Sequence, residues 1–236
     1  MSDHQTAPVG PPPAVTGPIG TKPVETPRFP CLHVSRHPLV RHKLTLIADG
    51  RTDSKLFREL VREVTPLLLY EATTDLAEEP VTFKTPLEET TGSRIAPRIG
   101  FVPILRAGLG MVDAALETLP RSEVWHLGMY RDETTHRPVS YYNKLPTRCP
   151  DDLVIVLDPM LATGGSASDA TTALKAWGAK RIKFVGLMAA PEGVARMEQD
   201  HPDVQLYVGS LERQLDDRFY IRPGLGDAGD RLFGTS

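Results

Sequence analysis

The run Leu153-Val-Ile-Val-Leu157 constrains this chain more than any other segment. Five consecutive β-favouring apolar residues leave no polar face, so the run is expected to be a strand covered on both sides, as in a parallel sheet. Downstream the periods alternate as such a sheet requires. Ala167, Ala170, Leu174 and Trp177 recur at helical spacing, and residues 182–188, 191–199 and 204–208 read as strand, helix and strand. Upstream, residues 99–105 form a second short apolar run. Arg106-Ala-Gly108 follows it, then helical spacing through Met111, Ala115 and Leu119; residues 124–129 read as a strand. Asp53-Ser54 is an N-cap signal for a helix carrying Leu56, Phe57, Leu60, Val61 and Val64, which Pro66 is expected to kink or end. The expected class is α/β, a parallel sheet with helices on both faces, whose ligands sit beyond the carboxyl ends of the strands.

Residues 1–31 differ in kind from this pattern. Eight of the 22 prolines lie between Pro8 and Pro30 with almost no large apolar side chains, which predicts a disordered or extended tail ahead of one domain over 32–236. The PxxP-like spacing there would suit an SH3-type partner, but a plain tail is the preferred reading. A net charge of -3 argues against a nucleic-acid partner. No apolar run approaches the roughly 20 residues of a membrane span, and residues 1–20 hold no signal-peptide core. Cys31 and Cys149 are too far apart in sequence for a Cys-x-x-Cys pair, so a cytoplasmic setting is expected.

The loop after Leu157 carries the chemistry. Ala162, Thr163, Gly164 and Gly165 are small enough for backbone N–H groups to converge on an anion at a helix start, and Thr163 and Ser166 add hydroxyl donors. No lysine follows the glycines, so this is not a Walker loop. At the other end of the loop stands Asp158, a carboxylate that would repel a phosphate but accept hydrogen bonds from vicinal hydroxyls. An anion site and a diol site a few residues apart suit a ribose 5-phosphate. The alternative is a glycine-rich turn capped by Ser166.

Val154-Ile-Val-Leu-Asp-Pro-Met-Leu-Ala-Thr-Gly-Gly-Ser166 resembles the 5-phosphoribosyl 1-diphosphate (PRPP) motif of type I phosphoribosyltransferases. Most of that superfamily has two adjacent acids here; the Asp158-Pro159 form is that of the uracil phosphoribosyltransferases. Val102-Pro-Ile-Leu-Arg-Ala-Gly-Leu-Gly-Met111, Gly128-Met-Tyr-Arg131, Ala189-Ala-Pro-Glu-Gly193 and residues 220–234 agree. The resemblance implies a type I phosphoribosyltransferase fold with a small C-terminal base-binding hood, and transfer from PRPP to uracil. It places PRPP on Asp158, Pro159, Met160, Leu161, Ala162, Thr163, Gly164, Gly165 and Ser166, with Asp227 facing it. Arg106 and Arg131 would hold the pyrophosphate, paired planar donors suiting two phosphate oxygens. Residues 132–145 would act as a lid. Uracil would be read by Ile221, Gly226, Asp227 and Ala228, largely through main-chain groups. Mg²⁺ bound mainly through PRPP, a GTP effector and a homo-oligomer are further implications. The rival is a regulatory protein that binds PRPP or a nucleotide on the same fold.

Other features are set aside. Gly224-x-Gly226-x-x-Gly229 satisfies a dinucleotide fingerprint, yet only seven residues follow it, too few for the helix, strand and acid that reading needs. His33, His37 and His42 lack a metal-binding pattern and read as polar surface; His126 alternates within a strand, and His136 falls in the expected lid. Glu88-Glu89 and Asp216-Asp217 read as solvated surface.

Overall fold

The computed structural model describes residues 29–131, 138–143 and 146–235. The chain enters through β1 (Leu32–Val34), α1 (Pro38–Ala48) and α2 (Ser54–Ala72), then a hairpin of β2 (Glu78–Lys84) and β3 (Glu89–Ile95). It continues through β4 (Ile99–Pro103), α3 (Leu109–Thr118), β5 (Glu123–Val124) and a second hairpin, β6 (Leu127–Arg131) with β7 (Pro138–Asn143). Then come β8 (Leu153–Leu157), β9 (Met160–Leu161), α4 (Gly165–Trp177), β10 (Ile182–Ala189), α5 (Pro191–Asp200) and β11 (Gln205–Leu211). A short hairpin of β12 (Gln214–Leu215) and β13 (Ile221–Arg222) leads to α6 (Ala228–Phe233).

The main sheet runs β1-β11-β10-β8-β4-β5 and all its pairs are parallel, with β9 beside the end of β10. Every residue of β8 is buried, and alternate side chains feed two cores. Leu153, Ile155 and Leu157 pack with α1, α2 and α3, whereas Val154 and Val156 pack with α4 and α5. The absence of a polar face in the sequence thus reflects cover on both sides. The order also reverses at the centre: from β4 the chain crosses by α3 to β5 on one edge, and from β8 by α4 and α5 towards the other. The carboxyl ends of β4 and β8 flank this switch point, where open α/β sheets take ligands.

The structure departs from several expectations. The packed unit begins ahead of Leu32, since Cys31 is buried and Phe29 packs against the second core; the rest of the tail lies outside the described residues. Asp53 caps α2 as expected, accepting from the Leu56 N–H at 2.8 Å, but Pro66 does not end that helix, which runs to Ala72. The carbonyl that Pro66 leaves without its helical donor belongs to exposed Arg62, while Leu68, Leu69 and Ala72 bury the continuation. Residues 124–129 are not one strand. Trp125 ends the pairing with β4, His126 lies in no strand, and β6 joins β7 in a separate sheet. His37 is more than surface, because its Nδ1 accepts the Leu39 N–H and caps α1. Asp216 is also more than surface: its carboxylate accepts from the Arg218 and Tyr220 N–H groups and from Arg222, organising the β12–β13 turn.

One charged residue lies inside the sheet. Lys183 of β10 is 1% exposed, and its ammonium donates to the Ala72 carbonyl at 2.6 Å and to Asp75 at 2.5 Å, with Tyr207 as an aromatic neighbour. It ties the end of α2 to the strand. Lys183→Ala, which leaves both acceptors without this donor, is expected to cost about 3 kcal/mol in urea denaturation. A loss below about 1 kcal/mol would mean that Lys183 is not what holds this corner.

Candidate active site

Two loops meet at the switch point because the end of β8 gives them a common anchor. The Leu157 carbonyl accepts the Ile104 N–H at 2.9 Å, and a Cβ on Gly108 would collide with the same carbonyl. Glycine at 108 therefore lets the loop after β4 close against the loop after β8. Between them Arg106 is left exposed, reached through a cis Leu105–Arg106 peptide.

After Leu157 the chain does not form a free turn. The Pro159 carbonyl accepts from both Leu187 and Met188 N–H groups, and Met160 and Leu161 form β9 against β10. Gly164, at φ 74°, then turns the chain into α4, and the Thr163 hydroxyl accepts the Gly165 N–H at 3.3 Å. The side chains of Thr163 and Ser166 are exposed beside the N–H groups of the first helical turn, where the helix dipole favours an anion. A residue that sequence reading quoted only as part of a motif supports this loop. A Cβ on Gly193, in the first turn of α5, would collide with the Leu161 and Ala162 carbonyls, and one on Gly164 would stand 2.7 Å from the Gly193 carbonyl. The paired glycines allow α5 to press directly on the cradle.

Asp158 begins this loop. It retains some exposed surface, but its carboxyl is enclosed by protein, and desolvation pushes its pKa up to about 7 against a smaller opposing effect of the Met160 N–H. A carboxylate poised near neutrality has few local partners and is available as an acceptor.

The C-terminal hood approaches from the other side. Ile221 is buried, Gly224 and Gly226 have φ of 62° and 84°, and Ala228 opens α6. Asp227 caps α6, its Oδ1 accepting the Asp230 N–H at 2.8 Å. Arg106 Nη2 lies 3.5 Å from Asp230 Oδ1 and 3.8 Å from where a Cβ on Gly229 would stand. The structure therefore brings Arg106 together with the Asp227–Asp230 turn. Arg131 ends β6 opposite Pro138; its side chain, residues 132–137 with His136, and residues 144–145 lie outside the described residues. The hairpin that contains Arg131 is rooted on two tryptophans. Trp125 Nε1 donates to buried Asp151 and Trp177 Nε1 to the Pro146 carbonyl, both at 2.7 Å, and the rings meet edge to face.

Sequence reading also missed Arg231, which no local motif marks. Its guanidinium reaches four main-chain carbonyls, one in the hood and three at the end of α1 and the connection to α2. Among the described residues no three His, Cys, Asp or Glu side chains converge to hold a metal, and no helix is long and apolar enough to cross a membrane.

Comparison with known proteins agrees with this geometry. The uracil phosphoribosyltransferase family model matches residues 34–235. A uracil phosphoribosyltransferase of a Roseiflexus species is 60% identical over 202 residues, covering 86% of this chain and 97% of that protein. One from Listeria innocua is 54% identical over 205 residues, 86% and 98% of the respective chains. A solved structure from Aquifex aeolicus is 36% identical with a TM-score of 0.81, covering 87% of this chain and 99% of that one. With both loops, the hood and the switch point in place, the chain belongs to the uracil phosphoribosyltransferase family.

Proposed function

We propose that this chain transfers the 5-phosphoribosyl group of PRPP to uracil, forming UMP and pyrophosphate, in the cleft between the loops after β4 and β8 and the C-terminal hood. The observation that carries this reading is the common anchoring of the anion cradle and the Arg106 loop on Leu157, with the Asp227–Asp230 turn facing Arg106. A protein that only bound a phosphate would need the cradle alone.

Each part has a task in this reading. The cradle of Ala162, Thr163, Gly164, Gly165 and Ser166 holds the 5′-phosphate, and Pro159, Met160 and Leu161 fix it to β10. Ionised Asp158 accepts from the ribose hydroxyls, so C1′ is held by binding energy at both ends of the sugar. As pyrophosphate departs, C1′ gains oxocarbenium character, and the uracil nitrogen attacks from the opposite face. Arg106 and Arg131 stabilise the charge that grows on the leaving group. The Arg106–Asp230 contact is long and largely exposed, so exchanging Asp230 for a diphosphate costs little. Asp227, with Oδ1 engaged in capping, would present Oδ2 to PRPP. Uracil sits against Ile221, Gly226, Asp227 and Ala228, where a main-chain N–H aimed at its 4-carbonyl would meet a donor in cytosine, a mismatch of several kcal/mol in order of magnitude. Mg²⁺ would be held mainly through the diphosphate oxygens, and when bound would neutralise pyrophosphate charge. Residues 132–145 would exclude water.

We also infer that copies of the chain associate. Hairpin β2–β3 is its own two-stranded sheet, with Leu87 at its tip 94% exposed, Phe83 exposed near the tip and Ile95 exposed at its base. Such a ribbon is marginal in water by itself and is best explained as an arm laid on a second copy.

The raised pKa of Asp158 gives a signed test. The folded chain holds this proton between about pH 4 and 7 while the unfolded chain does not, so the group favours folding below about pH 4 and that stability is lost as pH rises through about 7. Asp158→Asn removes the titration. Its melting temperature relative to the parent is expected to be higher at pH 8 than at pH 4, by about 2–4 °C per kcal/mol relieved. In the same variant kcat/KM for PRPP falls by about 10²-fold or more, and the parent's single-proton rise in kcat/KM through about pH 7 disappears. Unchanged kinetics would remove the ribose assignment. Arg106→Ala is expected to weaken pyrophosphate binding at least about tenfold more than uracil binding by calorimetry; equal losses would count against its role at the leaving group. Finally, Phe83→Glu with Leu87→Asp should reduce the sedimenting mass, and an unaltered assembly would exclude the arm as its contact.

A further inference from the structure

Arg231, in the last turn of α6, directs its guanidinium into the protein. Nη1 donates to the carbonyls of Ile47 at 2.6 Å and Leu225 at 3.0 Å. Nη2 donates to those of Asp49 at 2.9 Å and Thr52 at 3.1 Å. The group lies over Phe57, 4.4 Å from the ring centroid. Three of the four acceptors thus belong to the end of α1 and the α1–α2 connection, and the fourth immediately precedes Gly226. Ile47 and Phe57 are both fully buried, so that connection is fixed to the main core. The side-chain stem of Arg231 passes 4.0 Å from where a Cβ on Gly226 would stand. From the same side, Arg58 of α2 donates to the Leu232 carbonyl at 2.8 Å.

This arrangement uses what is particular to arginine. A planar fork can serve four carbonyls in different directions and still lie flat on an aromatic face, whereas an ammonium offers three donors from one point. Main-chain carbonyls cannot move independently of their loops, so each bond fixes backbone rather than a flexible side chain.

We propose that Arg231 is a positioning residue for base recognition: it bolts the Leu225–Ala228 backbone to the α1–α2 connection and thereby sets the main-chain geometry that reads uracil. The inference rests on the assignment of uracil to Ile221, Gly226 and Ala228. A pocket that discriminates by the direction of backbone N–H groups tolerates only small displacements of that backbone. The anion cradle, held by Gly193, Leu157 and β10, does not depend on Arg231.

The experiment is a pair of kinetic profiles. Arg231→Lys keeps the charge and loses the fork, and is expected to raise KM for uracil about tenfold or more with KM for PRPP changed less than about twofold. Its preference for uracil over cytosine should fall by about tenfold as well. Gly226→Ala, strained at φ 84°, is measured beside it and should also raise the uracil KM. Parallel rises in both KM values for Arg231→Lys would overturn the proposal, leaving a general loss of structure. A raised uracil KM in Gly226→Ala but not in Arg231→Lys would overturn it while the base site stands. No change in either variant overturns the base-site assignment and the proposal with it. If Arg231→Lys does not fold, hydrogen exchange of the parent decides instead. Peptides covering residues 49–53 and 224–228 are expected to open at one common rate, and clearly different rates would refute the bolt.

Discussion

The carboxyl end of β8 is where the geometry of the site originates. Leu157 closes a strand that is buried on both faces, and its carbonyl, unable to find water, takes the Ile104 N–H. That one bond brings the loop after β4 alongside the loop after β8, and Gly108 permits the approach. The two loops would carry opposite ends of a phosphoribosyl donor, the 5′-phosphate and the diphosphate, so their spacing is set by adjacent strands of a rigid sheet rather than by loop chemistry. The strand order reverses at the same place, where open α/β sheets take ligands.

Close packing of backbone on backbone recurs around the cleft. Gly164 and Gly193 bring α5 against the cradle, Gly108 brings the arginine loop against β8, and Arg231 replaces side-chain contacts with four carbonyls. In each case what is positioned is main chain. This suits a reaction with no covalent nucleophile, in which N–H groups must face a phosphate, a departing diphosphate and a planar base, and where rate derives from holding C1′ in line.

How much of this could be read from the residues depended on the range of the interaction. Leu153–Leu157, the small-residue turn into α4, the Asp53 cap and the alternation after β8 are local patterns and were legible. The β2–β3 hairpin was not, since Glu78–Lys84 and Glu89–Ile95 are mostly exposed and alternate only briefly, at Val81 and Phe83, next to Pro80. The merged strand over 124–129 failed because apolar residues continue across the point where the chain leaves the main sheet. Pro66 does not end its helix because continuation is decided by the burial of Leu68, Leu69 and Ala72, a tertiary effect. Lys183 and Arg231 have partners more than 100 residues away, Ala72 and Asp75 for one and Ile47 to Thr52 for the other, and nothing adjacent in sequence announces them.

The single acid of the Asp158-Pro159 pair also has a physical rationale in this fold. Pro159 is buried, and its carbonyl receives two successive N–H groups of β10, so the residue following Asp158 is locked into the sheet edge. Gly186 makes room for the Asp158 carbonyl on the same strand, where a Cβ would stand only 2.6 Å away. A second carboxylate at position 159 would be desolvated in this setting and adjacent to a group already lifted to about 7, and each would raise the other's pKa further. Proline avoids this coupling. It also presents no N–H that would need a partner there. One titrating carboxylate would thereby be left for the ribose in the proposed reaction, its ionisation governed by burial and by the Met160 N–H rather than by a like-charged neighbour.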